Sequence, residues 1–182
     1  MKKDRKVALI RGINVGRAKR VPMSDLKALI EDLGYTDVRT LLNSGNAVFT
    51  AARDAPAEIA ARIEKALVLR VGVEARVVVL TAAETATVIA ENTLLDVADQ
   101  PSRLLVAVPM PGADLRNLKP LLARDWGNDA FALGKRAAYL WCADGILDSA
   151  LMKSVSRALE NAVTMRNWAT MIKLNELLAA KG

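Results

Sequence analysis

The run Val7-Ala8-Leu9-Ile10 is apolar at four successive positions, and this feature constrains the fold more than any other. Successive side chains of a β-strand point to opposite faces, so this strand has no polar face to expose to water. The sequence therefore predicts a central strand that is covered on both sides. At 182 residues, 52% of them hydrophobic, the chain is long enough to build such a core.

Helical and extended patterns then follow in a fixed order. A helix with apolar residues at helical spacing is predicted to begin with Ser24 as its cap and to end at Gly34. A second helix has Pro56 in its first turn. The strand patterns lie at residues 37–42, 47–50 and 75–80. The order β-α-β-β-α-β is that of a ferredoxin-like half, here residues 1–80.

Residues 81–182 resemble a diverged copy of the first half. A capping box, Thr81 with Glu84, opens the segment, and Pro120 interrupts its first main helix. The remaining patterns predict a strand at 103–109, a helix at 114–122, a hairpin of strands 130–133 and 137–142, and a helix from Asp148 or Ser149 to Leu159. Because no linker divides the halves, we expect an α+β protein of two ferredoxin-like halves packed as one body.

The end of the chain departs from this repeat. Where a last strand is due, the segment from Thr164 to Trp168 predicts the start of an amphipathic C-terminal helix, with Thr164 as its cap. Arg166 would then lie in the first turn, where a cation opposes the helix dipole. Either a buried carboxylate or a bound anion shared with the backbone amides of the helix would compensate.

The connections of the first half predict where a site would form. A right-handed crossover makes the first two strands parallel, and the third strand lies antiparallel between them. The loop of residues 11–20 and the turn of residues 43–46 should then emerge at the same end of the sheet.

Charge is concentrated at one end of the chain. Residues 1–20 hold eight lysines and arginines and one aspartate, a net charge of +7, whereas the whole chain carries +6 and the other 162 residues sum to −1. Because the positive charge is concentrated locally and is not spread over the whole surface, it favours binding of an anionic partner at this end of the chain. The simpler alternative is a solvated basic terminus that aids solubility.

The loop of residues 11–20 has groups suited to an anion. Gly12 and Gly16 allow backbone amides to approach a ligand, and the guanidinium and ammonium groups donate to phosphate or carboxylate. The predicted anion-binding residues are Arg11, Gly12, Asn14, Gly16, Arg17, Lys19, Arg20, Asn43, Ser44, Asn46, Arg166 and Asn167. The alternative is that the glycines serve a turn, the cations face water, and Asn43 to Asn46 form only a hairpin.

The absence of histidine excludes much chemistry. With no histidine and one cysteine, Cys142, the chain lacks the ligands of a usual zinc site and the base of a Ser-His-Asp or Cys-His arrangement. No metal site or cofactor is assigned, and Cys142 is expected to be a buried apolar residue. The sequence has neither a membrane span nor a signal peptide, so a cytoplasmic location is expected.

Three segments together resemble a known family. They read LIRGINVG, MSDL…LGYTDVRTLLNSGNAVF and TMRNWATMIKL, in this order over essentially the full chain. They resemble a bacterial family of unknown function, number 1697. The resemblance implies a compact α/β protein of two ferredoxin-like halves, and it implies no established substrate, cofactor or reaction.

Two function classes follow from these observations. The first is an anion-binding module for a nucleotide, a phosphate metabolite or nucleic-acid phosphate, acting through loop 11–20. Base stacking on the sheet is not expected, because its central strands contain only one aromatic residue, Phe49. The alternative is an enzyme that acts on a phosphorylated or carboxylated small molecule with arginine clamps and a carboxylate base.

Overall fold

The chain forms two compact units. The computed structural model describes residues 4–14, 20–52 and 54–180. One unit comprises Met1–Thr85 with Leu174–Gly182, and the other comprises Ala86–Lys173. The sequence placed the division after residue 80 and assigned the whole C-terminal segment to the second half. The structure groups residues 174–180 with the first unit.

The first unit contains a four-stranded antiparallel sheet, here called sheet A. Its elements are β1 (Asp4–Arg11), α1 (Met23–Asp32), β2 (Thr36–Leu41), β3 (Asn46–Ala51), α2 (Pro56–Val71) and β4 (Arg76–Thr81). The strand order is β2-β3-β1-β4, and all neighbouring strands are antiparallel. The third strand therefore lies between the first two, as the crossover rule predicted.

Strand β1 is central and buried on both faces, which confirms the prediction from its apolar run. Ala8 and Ile10 face the two helices, whereas Val7 and Leu9 face the opposite side, and none of the four is more than 1% exposed. The helix-facing core includes Leu26, Leu29, Ile30, Ile59, Ile63 and Leu67. Burial of one such Leu or Ile side chain contributes roughly 1.5–3 kcal/mol.

Proline and glycine residues mark where the helices of this unit begin and end. Pro56 occupies the first turn of α2, and Gly72 ends that helix with φ +68°. Gly34, at φ +90°, follows α1 as predicted. The prediction that Ser24 caps α1 is wrong. The helix begins after Pro22, and the Ser24 hydroxyl donates to the Asp25 carboxylate within the first turn.

The second unit repeats the strand order of the first. Helix α3 (Ala82–Ala90), which begins in the first unit, leads into β5 (Leu104–Pro109), a 3₁₀ helix (Leu115–Ala123), β6 (Ala130–Leu133), β7 (Ala138–Trp141), α4 (Ala150–Ala158) and β8 (Val163–Asn167). The last element is α5 (Trp168–Ala179), whose residues from Leu174 onward belong to the first unit. Sheet B has the order β6-β7-β5-β8. The second unit differs from the first in the helix that follows its first strand, because this helix contains Pro120 and is a 3₁₀ helix.

The start of the C-terminal helix was predicted wrongly. Residues 163–167 form strand β8, in which Arg166 pairs with Val106 of β5. Helix α5 begins at Trp168, and the Asn167 side-chain oxygen accepts from the Thr170 amide at 2.9 Å. Asn167 therefore has the capping role that was predicted for Thr164. Pairing with β5 supplies a tertiary contact that outweighs the local helical spacing.

Cys142 lies in the core of the second unit, as expected. Its side chain is fully buried among residues of sheet B and α4. Burial raises the pKa of the thiol, and the hydrogen bond to Ser149 opposes that rise in part. The Ser149 hydroxyl also caps α4, accepting from the Met152 amide at 3.1 Å.

None of the helices in the described ranges combines the length and the apolar character that crossing a bilayer requires.

Candidate functional site

The start of the loop after β1, residues 11–14, and the turn between β2 and β3 lie side by side, as the topology predicted. The Ile10 amide donates to the Gly45 carbonyl at 2.8 Å. The Asn14 side-chain amide donates to the Asn43 carbonyl at 2.9 Å. These contacts define one end of sheet A.

Asn14 holds the two ends of the loop together. Its Nδ2 donates to the Val21 carbonyl at 2.9 Å, and its Oδ1 accepts from the Val21 amide at 2.8 Å. With the bond to the Asn43 carbonyl, the amide makes three hydrogen bonds to the backbone. Its backbone φ of +56° is one that asparagine tolerates better than most residues. Asn14 therefore organises the base of the loop.

Replacement of Asn14 with alanine is expected to lower the free energy of unfolding by about 2 kcal/mol, because three backbone groups lose their partner and alanine tolerates positive φ poorly. Urea unfolding measures the loss. The matched control is Asn43→Ala, since Asn43 is exposed and contributes its backbone carbonyl to this network. Equal losses in the two variants would contradict the role given to the Asn14 side chain.

Asn46 organises the turn in a similar way. It is fully buried, and its Nδ2 donates to the Leu41 carbonyl at 3.0 Å and to the Ser44 hydroxyl at 2.9 Å. Gly45 has φ +75°, and a Cβ built on it would lie 2.9 Å from the Ile10 carbonyl oxygen. The turn is thus fitted closely against β1.

Two arginines face each other beside this turn. Arg11, the last residue of β1, is the register partner of Arg76, the first residue of β4. Directly opposite residues of an antiparallel pair project their side chains to the same face, with Cβ atoms about 5 Å apart. We call Arg11 and Arg76 the arginine pair. Like charges in this position are destabilising unless an anion lies nearby.

The arginine pair lines a cavity of about 330 Å³, here called the arginine cavity. Its lining residues are Arg11, Gly12, Glu74, Ala75 and Arg76. Gly12 has φ +82°, and a Cβ built on it would meet nothing within 4 Å, so its backbone is uncovered in that direction. The lining of the cavity therefore includes two arginines and a glycine whose backbone is uncovered on one side.

The two guanidinium groups differ in their partners. Arg76 Nε lies 3.6 Å from Glu64 Oε1, in an exposed pair of the kind that contributes little. Arg11 is partly buried, and in residues 4–14, 20–52 and 54–180 no hydrogen bond or ion pair of its side chain is found. Arg11 is thus the cation that an external anion would complement most directly.

The remaining predicted site residues are placed as follows. Arg20 is exposed, and Asn43 and Ser44 are exposed in the turn. Gly16, Arg17 and Lys19 lie outside the described residues. Arg166 and Asn167 belong to the second unit.

Arg166 has neutral oxygen partners at short distance. Its guanidinium donates to the Thr164 hydroxyl at 2.9 Å and to the Met165 carbonyl at 2.8 Å. Burial lowers its pKa to about 10. Because Arg166 lies in a strand, the argument that a helix dipole demands a compensating anion is wrong.

Sequence reasoning missed Glu74 and Arg76. In the predicted topology, β4 is antiparallel to β1, so the residues before β4 must lie beside those after β1. The charged segment Val73-Glu74-Ala75-Arg76 could have been placed there on that ground.

A second cavity, of about 670 Å³, lies at the opposite end of sheet A within the first unit. It is lined in part by Asp4, Arg5, Asp37 and Thr81. The Arg5 guanidinium donates to the carbonyls of Leu177, at 2.6 Å, and Ala180, so it is already engaged. With two aspartates at its wall, this cavity is less suited to an anion. No cluster of three metal-ligating side chains is found in the described ranges.

Comparison with known proteins places the chain among proteins of unknown function. The sequence model of a family described as "Protein of unknown function (DUF1697)" matches residues 3–139. The conserved bacterial protein SP0830 from Streptococcus pneumoniae has a similar solved structure, with a TM-score of 0.79 and 22% sequence identity over 97% of this chain and 99% of that one. At that identity the likeness shows the fold alone. The comparison with curated proteins finds no match.

Proposed function

We propose that this chain, which belongs to the DUF1697 family of proteins of unknown function, binds a phosphorylated ligand at the arginine pair, beside the loop of residues 11–20. The observation that carries this proposal is the register of β1 and β4, which sets Arg11 opposite Arg76 at the wall of one cavity. Paired guanidinium groups are the side chains best suited to hold phosphate oxygens in a bidentate manner.

Electrostatics supports the proposal. Two like charges that face each other across a strand pair repel, and an anion between them turns that repulsion into two attractions. Glu64 already offsets part of the charge of Arg76. For Arg11 the ligand would supply the missing negative charge.

The size of the cavity favours a small ligand. A volume of about 330 Å³ lies at the lower end of the roughly 300–1,000 Å³ that ligand pockets occupy. The strands of sheet A contain one aromatic residue, Phe49, which is fully buried on the face that packs against the helices. Stacking of nucleic-acid bases on those strands therefore has no support, and a nucleotide or phosphate metabolite is preferred over a nucleic-acid strand.

One observation keeps the enzyme alternative open. Glu74 is among the residues that line the arginine cavity, and a carboxylate is a group that an enzyme of this kind uses as a general base. Consumption of a bound phosphorylated compound over time would favour this alternative over simple binding.

The proposal is tested by calorimetric titration of the protein with inorganic phosphate, pyrophosphate and adenosine monophosphate. We expect saturable binding that stabilises the fold, by about 2.7 kcal/mol at a ligand concentration 100 times Kd. Binding should weaken as potassium chloride is raised, because partly exposed charges are screened. Absence of binding to all three compounds would overturn the proposal, and tighter binding of an oligonucleotide than of the mononucleotide would favour nucleic acid as the ligand.

A further inference from the structure

We infer that Glu64 of α2 positions Arg76 for the ligand, by restraining the inner nitrogen of its guanidinium, Nε, and leaving the two terminal nitrogens to the phosphate oxygens. This inference rests on the proposed function of the arginine cavity, and it adds a positioning residue on the helix behind that cavity. It starts from one carboxylate oxygen of Glu64, which is close both to Arg76 and to the backbone of the next residue, Val77.

The Glu64 carboxylate is anchored to the backbone of β4. Its Oε1 accepts a hydrogen bond from the Val77 amide at 2.8 Å. Strand β4 lies at one end of the strand order of sheet A, so an amide that points away from β1 needs an acceptor from outside the sheet. Glu64 supplies it from α2, where the neighbouring Ile63 is fully buried. The carboxylate is therefore held between a packed helix and the start of β4.

The anchored oxygen also restrains Arg76. Glu64 Oε1 lies 3.6 Å from Arg76 Nε. The terminal nitrogens of Arg76 make no hydrogen bond or ion pair within the described residues. A guanidinium donates to two phosphate oxygens at once through such a pair of nitrogens. Glu64 thus limits the freedom of the Arg76 side chain without occupying the donors that a phosphate needs.

Glu64 acts on a bound phosphate in two opposite ways. Its negative charge repels the ligand through a partly screened field. Its hold on Arg76 reduces the side-chain freedom that binding must remove, and ordering one long side chain on binding lowers affinity by about two- to tenfold. Replacement with glutamine removes the charge and keeps an oxygen acceptor, whereas replacement with alanine removes both. A comparison of these two variants therefore separates positioning from charge.

The test measures the affinity for pyrophosphate by calorimetry in Glu64→Gln and Glu64→Ala, which carry the same net charge. We expect Glu64→Gln to bind within about threefold of the unmodified protein, and Glu64→Ala to bind at least about fivefold more weakly than Glu64→Gln. The control pair is Glu31→Gln and Glu31→Ala, in an exposed ion pair of α1 with Lys27. These two variants should differ by less than about twofold, because they remove the same distant charge.

A second measurement needs no substitution and holds even where Glu64→Ala fails to fold. In the unliganded, unmodified protein, the Nε proton of Arg76 should exchange with water at least about threefold more slowly than that of Arg39, an exposed arginine of β2. Nuclear magnetic resonance of the arginine side chains gives both rates. Equal rates would overturn the inference, because Glu64 would then not restrain Arg76.

The same two substitutions in an Arg76→Met background show whether Glu64 acts through Arg76. Without the guanidinium, Glu64→Gln and Glu64→Ala should differ in affinity by less than about twofold. A difference that persists there, or equal affinities while Arg76 is present, would overturn the inference and leave the proposed function standing. Absence of pyrophosphate binding by the unmodified protein would overturn the proposed function itself.

Discussion

Replacement of Gly45 with alanine is expected to lower the free energy of unfolding of the first unit by about 3 kcal/mol. Two causes add. The residue has φ +75°, a conformation that costs an L-residue about 1 kcal/mol. The new Cβ would also lie 2.9 Å from the Ile10 carbonyl oxygen and 3.0 Å from Ile13 Cδ1. The first of these atoms belongs to the backbone of the central strand, so it cannot move without disturbing the sheet.

The matched control for this prediction is Gly72→Ala. Gly72 also has positive φ, at +68°, but a Cβ built on it meets nothing within 4 Å. Its replacement should therefore cost only the conformational part, about 1 kcal/mol. Urea unfolding followed by circular dichroism gives both values. Equal losses would mean that the close approach of the turn to β1 contributes nothing.

Replacement of Arg11 with methionine is expected to weaken phosphate binding by about 30-fold, while the unliganded protein keeps its stability or gains slightly. A charge-assisted hydrogen bond contributes about 1.5–3 kcal/mol, which accounts for the loss of affinity. The stability holds because the change removes repulsion with Arg76 and leaves no buried carboxylate without a partner. Calorimetry with pyrophosphate and urea unfolding measure the two effects.

The control is Arg39→Met, which removes one positive charge from β2, an exposed position of the same sheet. It should change affinity by less than about threefold, since a distant exposed charge acts only through a screened field. Arg11→Lys should lie between the two, because lysine keeps the charge and loses the bidentate geometry. Similar losses in Arg11→Met and Arg39→Met would indicate diffuse attraction with no defined site.

The first half was predictable because its signals are local and agree with one another. The apolar run of β1, Pro56 at the start of α2 and Gly34 after α1 each fix an element without long-range information. The handedness rule then places the loop after β1 beside the turn around Gly45. Here local preference and tertiary structure point to the same fold.

Strand β8 was missed for the opposite reason. The sequence from Thr164 onward has helical spacing, and only pairing with β5 makes its first residues extended. Strand preference depends on neighbours that lie far away in the chain, so a local pattern does not reveal it. The error carried over to Arg166, whose predicted need for an anion depended on a helix that begins two residues later.

The candidate site was predictable in part. The charge of the first 20 residues pointed to Arg11, but the opposing Arg76 lies on the neighbouring strand β4 and Glu74 lies in the connection that precedes it. The sequence also assigned Asn14 and Asn46 to a ligand. The structure shows their amides bonded to the backbone, a use that polarity alone does not reveal.

The central claim is that a phosphate binds between Arg11 and Arg76, and the most direct test is the change of backbone amide chemical shifts as pyrophosphate is titrated into the protein. The account predicts that the largest changes occur at Arg11, Gly12 and Arg76, with none at the second cavity around Asp4 and Thr81. Changes centred on that second cavity, or spread evenly over exposed lysines and arginines, would contradict it.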